Sequence, residues 1–421
     1  MTAMAHSTEA DVIIIGGGII GLATAYRILE RHPGLRVVAL EREAEVGQHQ
    51  SSRNSGVLHA GLYYTPGSAK ARWSRAGKQQ MERFCAEYGV PFERTGKVVV
   101  AVNEAELPGL HALAERARSN GVDIHMLDVA GLREHEPYVT GVAGIWTPET
   151  AVTDFGEVCR SLAKAITHAG GVVRTNTEVV GIEQRGKVVH LETRDTTSTT
   201  GSYQQPGQLS ADVVVACAGL RADRVAAMTG SLAAERIVPF RGAWLRLRPD
   251  RRHLVRGNIY PVPTGGGLPF LGVHLTRRID GEVWIGPNAV LALAREGSGP
   301  WTTSSRDLVD TMRFPGFWQL ARRHLGVGVG EVWRDRVMGA MIRAVQRYVP
   351  DIERADVRRG PWGVRAQLLA PDGSLVEDFT IEEGGPDSRV LHVLNAPSPA
   401  ATSALAIGDH LSERVDQRRA R

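Results

Sequence analysis

The sequence predicts an α/β fold: a Rossmann-type dinucleotide-binding domain interleaved with a second, mostly antiparallel-sheet domain that holds substrate. Three observations carry this. The β-branched run Asp11 to Ile15 leads into Gly16-Gly17-Gly18-Ile19-Ile20-Gly21 and then a helical pattern, which is the opening of a βαβ unit. Buried strands of the same kind return only far down the chain, at Ala211 to Ala216 and Val390 to Leu394. From Pro239 to Asn288 the pattern changes to short strands with aromatic residues, separated by Pro and Gly turns.

In order, Asp11–Ile15 reads as a strand, Ile19–Arg31 as a helix and Leu35–Leu40 as a second buried strand ending at Glu41. A Ser- and Gly-rich loop, Gly47 to Gly67, precedes a helix from Ala69 to Tyr88. Lys97–Val102 is a strand, and Glu104–Asn120 and Phe155–Ala169 are helices. Val172–Thr175 and Glu178–Gln184 are strands, and the polar cluster Asp195–Ser210 is a mobile hairpin tip. Asp307–Tyr348 is helical, broken at Pro315 and between Gly326 and Gly330, and a last helix runs from Ala400 to Leu411. These pieces assign residues 10–90, 151–236 and 359–411 to the dinucleotide domain. Residues 91–150 and 237–358 go to the substrate domain, and 412–421 to a frayed polar tail.

A length of 421 residues suits two domains, and 43% hydrophobic with 23% charged residues is the balance of a soluble globular chain. The net charge is +4 with arginines spread along the chain, so no nucleic-acid partner is expected. Cys85, Cys159 and Cys217 form no CxxC pair and neighbour no His cluster, so no metal site or disulfide framework is expected and a reducing cytoplasm fits. The start lacks a signal-peptide pattern, and Val12–Ile15 is far too short to span a membrane. Phe314 to Arg323 mixes aromatics with basic residues. It reads as an internal helix-turn-helix, or as a peripheral contact with the inner face of the cell membrane through which a quinone approaches.

The glycine run carries the first chemistry. Gly16 permits the tight turn, Gly18 lets backbone approach a pyrophosphate and Gly21 lets helix pack on strand. The diphosphate then meets the helix N-terminus, where free N–H groups and the macrodipole favour negative charge. Glu41, at the end of the second strand, stands where a carboxylate accepts ribose hydroxyls. The motif does not separate FAD from NAD. The late return of the third strand, ending in Cys217-Ala218-Gly219, does: there the sequence resembles the D-amino-acid oxidase superfamily of FAD-dependent oxidoreductases.

The resemblance narrows along the chain. Asn54-Ser55-Gly56-Val57-Leu58-His59-Ala60-Gly61-Leu62-Tyr63-Tyr64, with Pro66-Gly67-Ser68 and Lys70, is similar to the L-2-hydroxyglutarate oxidase/dehydrogenase family. So are Ile259-Tyr260-Pro261-Val262-Pro263, Pro269-Phe270-Leu271-Gly272-Val273-His274, Ile285-Gly286-Pro287-Asn288-Ala289 and Asn395-Ala396-Pro397-Ser398-Pro399-Ala400-Ala401. Thr196–Gly207 and Gly297–Thr303 look like surface-loop departures. The resemblance implies FAD, covalent or not, and oxidation of L-2-hydroxyglutarate to 2-oxoglutarate, with electrons passed to oxygen or a quinone. It also implies FAD contacts at Gly16, Gly18, Ile20, Gly21, Glu41, Arg42, Ser52, Arg53, Asn54, Ser55, Val179, Ala218, Gly219, Ser398, Ala400 and Ala401.

Such a reaction needs a hydride acceptor, which flavin N5 provides, a base for the hydroxyl proton and clamps for two carboxylates. His274 is the first choice of base with His59 at the flavin edge, and the reverse assignment stays open. Gly363-Val364-Arg365 resembles the superfamily's Gly-x-Arg segment, which implies that Arg365 grips a substrate carboxylate bidentately. Arg241, Lys70, Tyr64 and Tyr260 are candidates for the second carboxylate. Two alternatives remain: a related flavin oxidase of another 2-hydroxy acid, an amino acid or an amine, and a binding subunit that has lost catalysis.

Overall fold

The computed structural model describes residues 9–197, 207–231, 233–263, 272–297, 299, 301–323, 338–385 and 387–421. The expected hairpin tip lies mostly, and the Gly326–Gly330 break and Pro269 to Leu271 wholly, outside the described residues. The chain forms two compact units, one of Met1–Ser52, Phe155–Ile237 and Asp378–Arg421, the other of Arg53–Asp154 and Val238–Glu377.

The first unit is built on an eight-stranded sheet. Strand Glu9–Ile15 lies parallel between Val37–Leu40 and Gly207–Ala216, in the register Val12↔Val37 and Val12↔Val213. Val172–Arg174 continues the sheet beyond Val37–Leu40, and Val390–Asn395 pairs parallel to the end of Gly207–Ala216. Strands at the centre are covered on both faces, so their sequences, VIII, VVAL and VVVA, are uninterrupted apolar runs rather than alternating ones. Helix Ile19–Arg31 packs against helices Phe155–His168 and Ala404–Arg419. Gly408 makes the second approach close, since a Cβ there would meet the Ala23 carbonyl carbon and oxygen at 2.9 and 2.8 Å.

The second unit holds a nine-stranded sheet. Its central order is Arg236–Leu247, Val283–Gly286, His274–Arg277, Asn258–Pro261, Lys97–Ala101 and Ala143–Thr147. All described pairs in this run are antiparallel except Asn258–Pro261 with Lys97–Ala101, which is parallel. Period-two alternation sorts the side chains. Val98, Val100, Ile259, Leu275 and Ile285 enter one core with Met341, Ile342 and Val345 of helix Met338–Gln346. Val99, Ala101 and Tyr260 face the other way, against Ala60, Leu62 and Leu110. Lys97 and His274 belong to this second face.

Several boundaries differ from expectation. Residues 53–90, expected in the dinucleotide domain, join the second unit, because Val57–Leu58 pairs with Ala151–Thr153, which in turn pairs with Phe92–Glu93. Residues 359–377 join it too, because strand Val357–Leu369 pairs with Arg236–Leu247. His274 opens the strand His274–Arg277. The final helix begins at Ala404 rather than Ala400, and it runs through the expected frayed tail to Arg419. The tail is ordered because Leu411 and Val415 are fully buried and Arg31 reaches Ser412 and Asp416 from the neighbouring helix.

Candidate active site

In the first unit the glycine turn is pinched between strand ends. Gly16 has φ +111°, its N–H donates to the Leu40 carbonyl at 2.8 Å, and a Cβ there would sit 2.3 Å from the Cys217 carbonyl oxygen. A Cβ on Gly21 would lie 2.0 Å from the Gly16 carbonyl oxygen, so only glycine lets the helix start this close to the turn. Gly18 is different: its φ is −77°, and a Cβ would meet only the Ser51 hydroxyl, at 3.4 Å. Space at Gly18 is therefore open within the protein. The first helical turn carries no acidic residue and Gly18 offers no side-chain cap, so the positive helix end is left for an anion. The Ile19 N–H donates to Ser51 Oγ at 3.0 Å. Glu41 is buried at the end of its strand. Its Oε2 accepts from the Gly17 N–H at 2.8 Å and its Oε1 from the Glu43 N–H at 2.9 Å. Burial raises its carboxyl above the usual range, and these two N–H groups oppose that rise.

In the second unit one sheet face gathers His274, Tyr260 and Lys97 from three adjacent strands, with Tyr63 and His59 above them from the loop after Val57–Leu58. The His274 imidazole stacks on the Tyr260 ring at 4.0 Å and 15°. Its Nδ1 lies 3.0 Å from the Gly272 carbonyl. A carbonyl only accepts, so Nδ1 carries the hydrogen and Nε2 of the neutral ring is left as proton acceptor. Burial pushes His274 down to about 3, and the positive charges of Lys97 and Arg365 act in the same direction. The Tyr348 hydroxyl donates to the Val273 carbonyl and anchors the backbone just before it. His59 is held well below its ordinary range by burial first, then by Lys97 and His274. Arg365, on strand Val357–Leu369, feels the same burial, yet its guanidinium stays cationic far above neutrality.

A family model described as FAD dependent oxidoreductase matches residues 11–414. The L-2-hydroxyglutarate dehydrogenase of Escherichia coli K12 is 40% identical over 405 residues, covering 96% of this chain and 93% of that protein. The mitochondrial L-2-hydroxyglutarate dehydrogenases of Nematostella vectensis and Homo sapiens are 44% and 41% identical, each over 98% of this chain and 91% and 90% of their own. The chain belongs to the L-2-hydroxyglutarate dehydrogenase family of FAD-dependent oxidoreductases. The fold agrees: L-α-glycerophosphate oxidase from Mycoplasma pneumoniae, solved with FAD bound, superposes with TM-score 0.76 at 23% identity over 97% of this chain and 94% of that one. Glycine oxidase from Geobacillus kaustophilus gives 0.70 at 18%, over 97% and 95%.

FAD is thus the cofactor of this family member, and the turn described above fits its diphosphate: an open Gly18 backbone, a helix start with no acidic residue in its first turn and a carboxylate beside it. Of the residues expected at FAD, Gly16, Gly18, Ile20, Gly21, Glu41, Arg42, Ser52, Val179, Ala218, Gly219, Ser398, Ala400 and Ala401 lie in the first unit. Arg53, Asn54 and Ser55 lie in the second. Arg53 stacks over Trp362 at 5.0 Å, and Asn54 is held through its carbonyl by Arg278 Nη1 at 3.0 Å. Ser52 is exposed, while its neighbour Ser51 reaches the helix start. Of the expected substrate residues, His59, His274, Tyr260 and Arg365 act on one another. Tyr64 is half-buried, with its carbonyl held by Asn120 Nδ2 at 2.8 Å. Lys70 lies in the first turn of helix Ala69–Glu87. Arg241 stacks on Trp301 at 4.6 Å and lines a small cavity with Trp362 and Val364.

Sequence reasoning passed over Ser51, Tyr63, Lys97, Arg278 and Tyr348. Lys97 left one usable signal. It stands at an inward position of the run KVVVA, where a charge has no place unless something answers it.

Proposed function

We propose that this oxidoreductase converts L-2-hydroxyglutarate to 2-oxoglutarate. The observation that carries the reading is the sheet face of the second unit, where the neutral His274 imidazole, stacked on Tyr260, feels the positive charge of the half-buried Arg365. The C2 hydroxyl proton goes to His274 Nε2, and the C2 hydrogen leaves with its electron pair. Bound FAD supplies the acceptor for that hydride. Arg365 takes the carboxylate next to C2 in its planar fork. Tyr260, stacked on His274, holds the imidazole plane. His59 and Tyr64 offer hydrogen bonds around the substrate, and Arg241 and Lys70 are further cations for its far end. Gly16, Gly18, Ile20 and Gly21 cradle the FAD diphosphate, and Glu41 accepts from the ribose. The remaining FAD contacts are Arg42, Ser52, Arg53, Asn54, Ser55, Val179, Ala218, Gly219, Ser398, Ala400 and Ala401.

In this reading electrons leave for oxygen or a quinone. No helix of the described residues is long and apolar enough to cross a membrane. Phe314 and Leu320 are buried against Val238 and Leu369, which favours the internal helix-turn-helix, and the half-exposed Trp318 with Arg322 and Arg323 is what a peripheral contact with the inner face of the cell membrane would use. Anaerobic mixing with L-2-hydroxyglutarate, its D-enantiomer, lactate, malate and glycine tests the substrate. Bleaching of the flavin by the first alone is expected. Faster bleaching by glycine or lactate would replace the reading with that of a different flavin oxidase.

A further inference from the structure

Lys97 is fully buried, and its Nζ has no hydrogen-bond acceptor among the described residues. Its ammonium instead lies over two aromatic faces, 4.0 Å from the Tyr260 ring centre and 5.3 Å from that of Tyr63. Strand order explains the setting: Lys97, Tyr260 and His274 come from successive neighbours in the sheet, so Tyr260 carries the imidazole on one side and the ammonium toward the other. Aromatic faces attract a cation but leave its charge uncancelled. Arg365 and the two histidines add no negative charge, and the charged groups acting on His59 and His274 are all cations or potential cations. A buried cation in such company raises the positive potential of the whole face.

We propose that Lys97 is the built-in countercharge for the dicarboxylate, an ammonium behind Tyr63 and Tyr260 that draws the bound dianion through them without touching it. This rests on the dicarboxylate reading above. It makes Lys97 a positioning residue. The groups facing it are Tyr63 and His59 from the loop, Tyr260 and Asn258 from one flanking strand, Thr147 from the other, and His274 and Arg365 beyond Tyr260. The tyrosines are pushed up by burial, the histidines are pushed down, and Arg365 stays charged. Burial brings Lys97 itself to about 7, so it is the one member of this set that changes charge near neutrality. It is an ammonium below that value and an amine above it. The attraction is therefore present in mild acid and lost in mild base.

The test is the affinity of the FAD-loaded protein for glutarate, a dicarboxylate without the hydroxyl and so not oxidised, measured by calorimetry at about pH 6 and about pH 8. A unit charge at roughly 10 Å in a medium of effective dielectric about 20 changes binding about tenfold. The bound dianion in turn raises Lys97 by about one unit, so wild type should weaken about fivefold between the two conditions. Lys97→Arg should bind tightly at both, and Lys97→Met weakly at both. Wild-type behaviour in either variant overturns the proposal, so Lys97→Arg decides alone if Lys97→Met does not fold. If L-2-hydroxyglutarate does not reduce wild-type flavin, the dicarboxylate reading itself fails. Normal reduction combined with pH-independent glutarate binding by wild type overturns only the role of Lys97.

Discussion

Gly21 and Gly18 lie in one motif, yet the geometry separates what each is for, and the separation can be measured. In Gly21→Ala the new Cβ falls 2.0 Å from the Gly16 carbonyl oxygen and 3.1 Å from Ile14 Cγ2. A carbon and a carbonyl oxygen ordinarily approach no closer than about 3.3 Å, so helix and turn must separate by roughly 1.3 Å. The oxygen belongs to a backbone pinned by the Gly16 N–H bond to Leu40, so the helix has to move. Overpacking of this kind costs up to about 3 kcal/mol, and the better helix propensity of alanine returns about 1 kcal/mol, leaving a loss of about 2 kcal/mol. The displaced helix end should also release FAD. In Gly18→Val the Cβ meets only Ser51 Oγ at 3.4 Å and the backbone is already in an ordinary extended conformation. Stability of the FAD-free protein should change by less than about 1 kcal/mol, while FAD is excluded by a side chain where the diphosphate lies. Urea melts of FAD-free protein, with flavin-to-protein absorbance ratios of the loaded form, read both effects. Full FAD occupancy in Gly18→Val, or an unshifted urea midpoint in Gly21→Ala, would refute the division of roles.

Other outcomes follow from the second unit and the final helix. Arg365→Lys keeps the charge but loses the fork, and should cost about 2–4 kcal/mol of transition-state stabilisation in rapid-mixing flavin reduction. Unchanged reduction would remove Arg365 from the substrate. His274→Ala should slow flavin reduction by about 10²–10⁴-fold with little change in substrate affinity. Because burial holds His274 at about 3, the imidazole is neutral above about pH 5, so wild-type reduction should show no acid limb from its titration there. An acid limb near 6 that disappears in His274→Ala would contradict that environment. Leu411→Ala, in a fully buried position of the last helix, should destabilise by about 2–5 kcal/mol in thermal or urea melts. A change under about 0.5 kcal/mol would mean that this helix does not hold its place.

The dinucleotide turn was legible because its constraints are local. Gly16 answers to its own positive φ and Gly21 to the Gly16 carbonyl five residues before it, while Glu41 follows from the length of one helix and one strand; the Cys217 carbonyl that also crowds Gly16 comes from a distant strand end. Helix Ile19–Arg31 was legible from its period, and strand Lys97–Ala101 from a short run of β-branched residues. Membership of the units was less so. His59, His274 and Arg365 were named from motifs, but residues 53–90 and 359–377 were expected beside the dinucleotide, and strand pairing with Ala151–Thr153 and Arg236–Leu247 places them in the other unit.

By itself the sequence determined the family, the cofactor and the dinucleotide turn, and it put forward His59, His274 and Arg365 as candidates for proton transfer and carboxylate binding. Only the tertiary structure decided which of those residues share a surface. Alternation along one strand says that Lys97 and Val99 face the same way, but it does not say which strand lies alongside. That choice puts Asn258–Pro261 parallel to Lys97–Ala101 and His274 next to Tyr260, and it turns a lysine at the edge of an apolar run into a buried charge behind two tyrosine rings. The physical reason is that pairing between distant strands is set by the burial of whole faces, a property of the assembled sheet rather than of any one segment.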